Sequence, residues 1–167
     1  MASTAGLRLS SRAAMCSADF PHCCWSNVTS RHCGGAAMKR EVINFGNPEG
    51  LPFSDAIRFG DLVFVSGMVG FDDGGEIARG GIGPETAQTF RNIEKILERA
   101  GGGLKDLVKV SVIRTDARDF DAFTAAYRNI FPSDPPARVS MVAQLTIDAR
   151  IEVDVIAGIP ARKGAGG

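Results

Sequence analysis

The residues whose types and spacing suit chemistry sit near the C-terminal end of the chain. Pro135-Pro136-Ala137-Arg138-Val139-Ser140 is followed by the run Ile151-Glu152-Val153-Asp154-Val155-Ile156. A double proline fixes an extended approach, because proline locks its own φ and pushes the preceding residue out of the helical region. Arg138 is therefore delivered at the start of a strand. Glu152 and Asp154 are two residues apart on a β-branched strand and face the same way. An arginine beside a same-facing acid pair can grip a carboxylate ligand while an acid handles a proton or a water. The same residues also suit a plain ion pair at a sheet edge, since structural ion pairs perturb their neighbours as functional ones do.

Composition narrows the chemistry further. The chain has 167 residues, no formal net charge and 44% hydrophobic residues, which fits one ordinary globular domain. There is no basic excess to attract nucleic acid and no apolar run of the ~18 or more residues that a membrane helix needs. All four cysteines (Cys16, Cys23, Cys24, Cys33), both histidines (His22, His32) and the single Trp25 precede Met38. From Met38 onward Cys–His and Ser–His–Asp catalysis and the usual zinc sites are excluded. Carboxylates, arginines, lysines, hydroxyls and Tyr127 are what remains.

Residues 1–37 read differently from the rest, with three arginines, one acid (Asp19), many Ser, Ala and Cys, and no sustained period. Three readings stand. His22, Cys23, Cys24, His32 and Cys33 are metal-ligand types, but their spacing matches no zinc module. An Arg- and Ser-rich, acid-poor leader suits an organelle transit peptide, which would place the protein in a mitochondrion or plastid. The reading taken is that the working domain spans 38–160, that 1–37 is a disordered extension or a mis-assigned start, and that 161–167 is a flexible tail. The expected location is then cytoplasmic.

The elements that must position Arg138 and the acids follow from periodicity. Strands are expected over residues 39–45, 54–59 and 62–66, with Gly46-Asn47-Pro48-Glu49-Gly50 a loop, Gly60-Asp61 a turn and Gly67 a strand breaker. Asp72-Asp73-Gly74-Gly75 marks a hairpin tip in a glycine-rich loop that lacks the Lys-Ser/Thr ending of a phosphate-binding loop. Pro84 suits the first helical position and Glu85 the positive end of the helix dipole. Ala87, Phe90, Ile93, Ile96, Leu97 and Ala100 form one helical stripe, stopped by Gly101-Gly102-Gly103. A strand over 107–115 follows. Asp116 or Asp119 can then cap a helix carrying Phe120, Phe123, Tyr127, Ile130 and Phe131. Strands over 138–145 and 150–156 complete the order β-β-β-α-β-α-β-β, an α+β domain with two helices on one sheet face. Val110, Val112, Val153 and Val155 suggest apolar surface on more than one side of that sheet, hence self-association.

As a set, several segments resemble the reactive-intermediate deaminase family, the RidA/YjgF/UK114 group. They are Leu62-Val63-Phe64-Val65-Ser66-Gly67, Gln88-Thr89-Phe90-Arg91-Asn92-Ile93, Asp106-Leu107-Val108-Lys109-Val110, Thr115-Asp116, Tyr127, Pro136-Ala137-Arg138 and Ile151 to Ala157. The resemblance runs from Met38 to about Ile159. It implies a chorismate-mutase-like α+β fold, a mixed sheet covered by two helices, and a homotrimer with clefts between subunits. It also implies hydrolysis of enamine/imine intermediates, 2-aminoacrylate among them, to 2-keto acids and ammonia without a cofactor. The expected ligand is a small imino or keto acid, with no nucleic acid or membrane partner. Arg138 falls on the family's carboxylate-binding arginine and Glu152 on the glutamate that positions the attacking water, while Asp154 is left structural. Ser66 and Gly67 would line the cleft with backbone groups, and Phe53, Thr124 and Tyr127 would complete it. Phe53 stands where many members carry tyrosine, Thr124 where many carry asparagine, and Thr146-Ile147-Asp148-Ala149 replaces the usual Leu-Pro-Lys pattern. A non-catalytic trimer that binds small carboxylates as a regulator is the alternative. Ribonuclease activity, reported for the wider family, finds little support in a neutral domain without histidine.

Overall fold

The computed structural model describes residues 39–44 and 52–160. The expected leader (1–37), the loop 46–50 and the tail 161–167 lie outside the described residues. In chain order the elements are β1 (Arg40–Ile43), β2 (Ala56–Phe59), β3 (Leu62–Met68), α1 (Ile82–Arg99), β4 (Leu107–Arg114), α2 (Phe120–Ile130), β5 (Ala137–Val142) and β6 (Ile151–Gly158). The expected order therefore holds. The strands form one six-stranded sheet in the order β1-β2-β3-β6-β4-β5. Neighbours are antiparallel except β4 and β5, which run parallel because α2 carries the chain back between them.

Alternation along the strands decides which residues meet the helices. Val63 and Val65 of β3, Val110 and Val112 of β4, and Ile151, Val153 and Val155 of β6 are all buried. Register puts Val110 opposite Val155 and Val112 opposite Val153, so these side chains share one face. That corrects the expectation that the four valines cover both sides of the sheet. They belong to a single core beneath α1 and α2, where Phe90, Ile93, Ile96, Leu97 and Phe123 meet them. Each such buried side chain contributes about 1.5–3 kcal/mol of apolar transfer. The helices also meet each other through Phe90, whose ring stands edge-on to Tyr127 at 5.7 Å and to Phe131 at 5.4 Å.

The opposite face is uncovered by any described element, and it is apolar through other residues than those expected. Phe59, Leu62, Phe64, Val139 and Met141 alternate with the core residues and stay exposed.

Several boundaries move. Gly67 does not break β3: the strand runs on to Met68 through a bulge, since Val65 pairs with Val155 and Met68 with Val153. Pro84 is the third rather than the first residue of α1, where it still replaces an N–H without a helical partner. The last two strands are Ala137–Val142 and Ile151–Gly158, shifted from 138–145 and 150–156 because pairing to neighbouring strands, β4 for both and β3 at Gly158, sets their ends. The turn at Gly60 is confirmed: its φ of 62° lies in the left-handed region that glycine enters without strain. The hairpin tip at Asp72–Gly75 is also present, closed by the Phe71–Ile77 bridge and by Asp72 N–H donating to the Glu76 carbonyl at 2.8 Å. Asp116 caps a short 3-10 turn ahead of α2 by accepting from Arg118 N–H at 2.8 Å. Its carboxyl is held down to about 2, chiefly by the Arg118 side chain. No described helix is long and apolar enough to cross a membrane.

Candidate functional site

Arg138 enters the sheet at the start of β5, paired with Val110, and so points to the helix-covered face. There α2 presents two rings to it. The guanidinium carbon lies 4.5 Å from the centre of Tyr127 and 5.2 Å from that of Phe123. Both contacts are within cation–π range, and a planar guanidinium stacks well on such a platform. Phe123 and Tyr127 are one helical turn apart, which is why a single side chain touches both. Among the described residues Arg138 has no ion-pair partner, so the sheet-edge ion pair is not what forms. Its charge-bearing edge is free for a planar anion.

Thr124 and Tyr127 are also on α2. Their hydroxyls are buried and have no hydrogen-bond partner among the described residues. Tyr127 is a core ring whose hydroxyl is unpartnered among the described residues. Burial pushes that hydroxyl up from its ordinary pKa, while the Arg138 charge pulls the other way.

The second group of candidates lies across the sheet. Glu152 pairs with Ile113 and Asp154 with Ser111, so both acids do face the same way, on the uncovered face. Glu152 lies directly over Gly67. A Cβ built on Gly67 would come within 2.0 Å of the Glu152 Oε1 and 2.9 Å of its Cδ. Gly67 is thus required by the space the carboxylate occupies rather than by its backbone angles. Next to it, Ser66 donates its hydroxyl to the Ser54 carbonyl at 2.6 Å and its N–H to the Asp55 carbonyl at 2.9 Å. These bonds tie β3 to the segment carrying Phe53, which is half exposed. Ser66 therefore uses its hydroxyl on backbone, the structural alternative for a strand hydroxyl.

The candidates fall into two clusters. Arg138, Thr124 and Tyr127 gather on the helix side at the β5 edge; Glu152, Gly67, Ser66 and the neighbouring Phe53 gather on the open side at the β3–β6 seam. Within one chain the structure does not bring Arg138 and Glu152 together. A depression of about 770 Å³ at the N-terminus of α1, lined by Gly80, Gly81, Glu85, Gln144 and Arg150 among others, contains neither of them.

A family model described as Endoribonuclease L-PSP matches residues 48–159. The chain belongs to this family, the RidA/YjgF group. It is similar to a RutC family protein of Pyrococcus abyssi, 41% identical over 108 residues, covering 64% of this chain and 85% of that one. It is also similar to the 2-iminobutanoate/2-iminopropanoate deaminase of Homo sapiens, 32% identical over 126 residues, covering 73% of this chain and 92% of that one. Among solved structures, RidA from an Antarctic Psychrobacter superposes with a TM-score of 0.63 at 31% identity, over 75% of this chain and 100% of that one. The α+β fold expected from the resemblance is thus the fold of the family.

The roles of three polar residues near these clusters escaped the sequence reading. Arg114 is 5% exposed and lies over Phe120 and Phe123. Its Nε donates to the Ser140 hydroxyl at 3.4 Å, and its Nη1 to the Asp116 carbonyl at 3.3 Å. The signal was present, because strand alternation puts Arg114 on the face of Val110 and Val112, and Ser140 on that of Arg138. Glu85 is the third. It is 2% exposed, and its Oε1 accepts backbone N–H groups from Arg150 at 2.7 Å and Ile151 at 3.2 Å. It thereby locks the entry to β6, the strand that carries Glu152. Desolvation raises its pKa above the ordinary carboxyl value, against the pull of those two donors. Nothing local in the sequence announces this role, since the donors lie 65 and 66 residues away.

Proposed function

We propose that this protein hydrolyses small enamine and imine intermediates of the 2-aminoacrylate type to 2-keto acids and ammonia, in clefts between the subunits of a homotrimer. The observation that carries this reading is Arg138: a guanidinium stacked on Tyr127 and Phe123 and without an acid partner among the described residues. A bidentate grip on a planar carboxylate is what such a group does best. Relatives named 2-iminobutanoate/2-iminopropanoate deaminase support the class of substrate.

In this reading a neighbouring copy supplies the other cluster. The apolar open face, with Phe64 and Leu62 exposed on it, is a surface for a second copy to cover. Covering it would carry Glu152 of one subunit toward Arg138 of the next. The chemistry then needs little machinery, because an imine carbon is already electrophilic and a held substrate and a held water suffice. Arg138 fixes the substrate carboxylate. Glu152 takes one proton as the water oxygen bonds to C2 and passes it to the imine nitrogen, giving a carbinolamine. It then takes the proton of the new hydroxyl and passes it to the same nitrogen as the C=O forms, the C–N bond breaks and ammonia leaves. No step calls for histidine or cysteine, neither of which occurs from Met38 onward.

The test generates 2-aminoacrylate in situ with a dehydratase and follows its decay to pyruvate with wild type and Arg138→Ala. Acceleration by wild type and its loss in the variant is the expected result. No acceleration across several amino-acid-derived imines would sink the enzyme reading, and carboxylate binding that survives without turnover would favour a regulator of the same fold.

A further inference from the structure

A second arginine sits beside the Arg138 cluster, and its surroundings carry the reading further. Arg114 closes β4 on the helix-facing side, two residue pairs beyond Ser140 in the β4–β5 register. Its guanidinium carbon is 5.6 Å from the centre of the Phe123 ring, and that of Arg138 is 5.2 Å from the same centre. One aromatic ring therefore serves two cations. Ser140 follows Arg138 by two residues along β5, on the same face, and accepts from Arg114 Nε.

Two positive charges gathered at one ring repel each other, and burial makes the repulsion harder to screen. Buried cations are ordinarily paired. The other buried arginine, Arg58, follows that rule: it reaches Glu41 at 3.9 Å and donates to the carbonyls of Ile159 and Ala100. Arg114 does not follow it. Among the described residues no acid lies within ion-pair range of Arg114 or Arg138, and Asp116, the nearest acid in sequence to Arg114, spends its carboxylate on Arg118 at 2.6 Å. The two bonds that Arg114 does make are long and go to neutral oxygens, leaving part of its fork unused. The buried, unpartnered hydroxyls of Thr124 and Tyr127 on the same helix add donors to this cluster.

We propose that the substrates of this protein are dicarboxylic imines: Arg138 takes the carboxylate beside the imine carbon, and Arg114, with Ser140, takes a second carboxylate at the far end of a four- or five-carbon chain. This rests on the deaminase reading above for the reaction and goes beyond it for the ligand. The reaction itself is unchanged: water adds at C2, ammonia leaves, and the distal carboxylate is a handle. Arg114 is a specificity-determining residue here.

The test compares, with the full-length protein, the imines formed in situ by oxidases from aspartate, glutamate and alanine. Wild type is expected to show kcat/KM at least tenfold higher for a dicarboxylic imine than for the three-carbon imine, the discrimination expected of one added charge-assisted contact. Arg114→Met is expected to abolish that ratio, and Arg114→Lys, which keeps the charge and the stem should the methionine variant fold poorly, to reduce it. A wild type that hydrolyses the three-carbon imine as well as the dicarboxylic ones overturns this proposal and leaves the deaminase reading standing. If no imine is hydrolysed faster, the deaminase reading fails and calorimetry decides the ligand class. Tenfold tighter binding of 2-oxosuccinate or 2-oxoglutarate than of 2-oxopropanoate, lost in Arg114→Met, upholds it, and equal binding refutes it.

Discussion

Alanine in place of Gly67 separates a structural glycine from one that positions a carboxylate. The new Cβ would stand 2.0 Å from Glu152 Oε1, 2.9 Å from Cδ and 3.2 Å from Cγ, where ordinary contact begins at 3.4 Å. All three clashing atoms belong to one flexible side chain, so the carboxylate yields rather than the sheet. It must retreat by more than an ångström and leave its preferred rotamer, at about 0.5–1.5 kcal/mol. Replacing a strand glycine also removes chain entropy from the unfolded state, which returns about 0.5–1 kcal/mol. The two nearly cancel, and Tm is expected to stay within about 5 °C of wild type. On the proposed mechanism activity does not share that cancellation. Moving a catalytic group by ~1 Å costs on the order of 100-fold in rate.

The assay is imine hydrolysis by wild type, Gly67→Ala, Glu152→Gln and the double variant, alongside thermal unfolding. If Gly67 acts by holding Glu152 in place, the double variant loses no more than Glu152→Gln alone. Losses that multiply, or a Gly67→Ala protein with wild-type kcat, would refute the reasoning. A Tm drop well beyond the expected window would assign the glycine to the fold instead.

Three further expectations follow from the same geometry. Glu85→Gln keeps an oxygen for the Arg150 and Ile151 N–H groups but removes the titration. Because the folded-state pKa of Glu85 is raised, ionisation penalises the folded state, so the stability of wild type relative to the variant should fall as pH rises above 4.5. Parallel denaturant titrations at several pH values check this, and a difference that grows with pH would reverse the sign. Tyr127→Phe removes a buried hydroxyl without a described partner and keeps the ring under Arg138, so Tm should hold or rise. A loss of more than about 2 kcal/mol, read from denaturant midpoints, would mean the hydroxyl is bonded. Phe64→Lys places a charge on the open apolar face, and light scattering should then show fewer chains per particle than wild type, with near-wild-type helix content by circular dichroism.

What was legible in the sequence depended on the range of the cause. The two helices, the Gly60 turn, the Asp72 hairpin tip and the order of elements along the chain are set by side chains a few residues apart, and those expectations hold. Val110, Val112, Val153 and Val155 show the limit. Their spacing of two already put each pair on one face, but only the β4–β6 register shows that both pairs choose the same face. The bulge at Ser66 and Gly67 escaped for the same reason. A glycine after a β-branched run reads as a break, whereas the partner strand makes it the place where β3 gains a residue and clears space for Glu152.

The candidate site was legible as a roll of residues and not as an arrangement. Arg138 and Glu152 look adjacent in sequence terms, joined by two strands and a short connection. Between β5 and β6, however, β4 intervenes, and the registers put Arg138 opposite Val110 and Glu152 opposite Ile113. Residues 110 and 113 differ by an odd number, so their side chains leave the sheet on opposite faces. That parity turns two plausible partners into halves that a single chain cannot join. On the proposed mechanism it also gives the bare, apolar face of the sheet a use. If a second copy covers it, the surface that buries Phe64 and Leu62 is the one that closes over Glu152, and oligomerisation and catalysis become a single requirement on the same side chains.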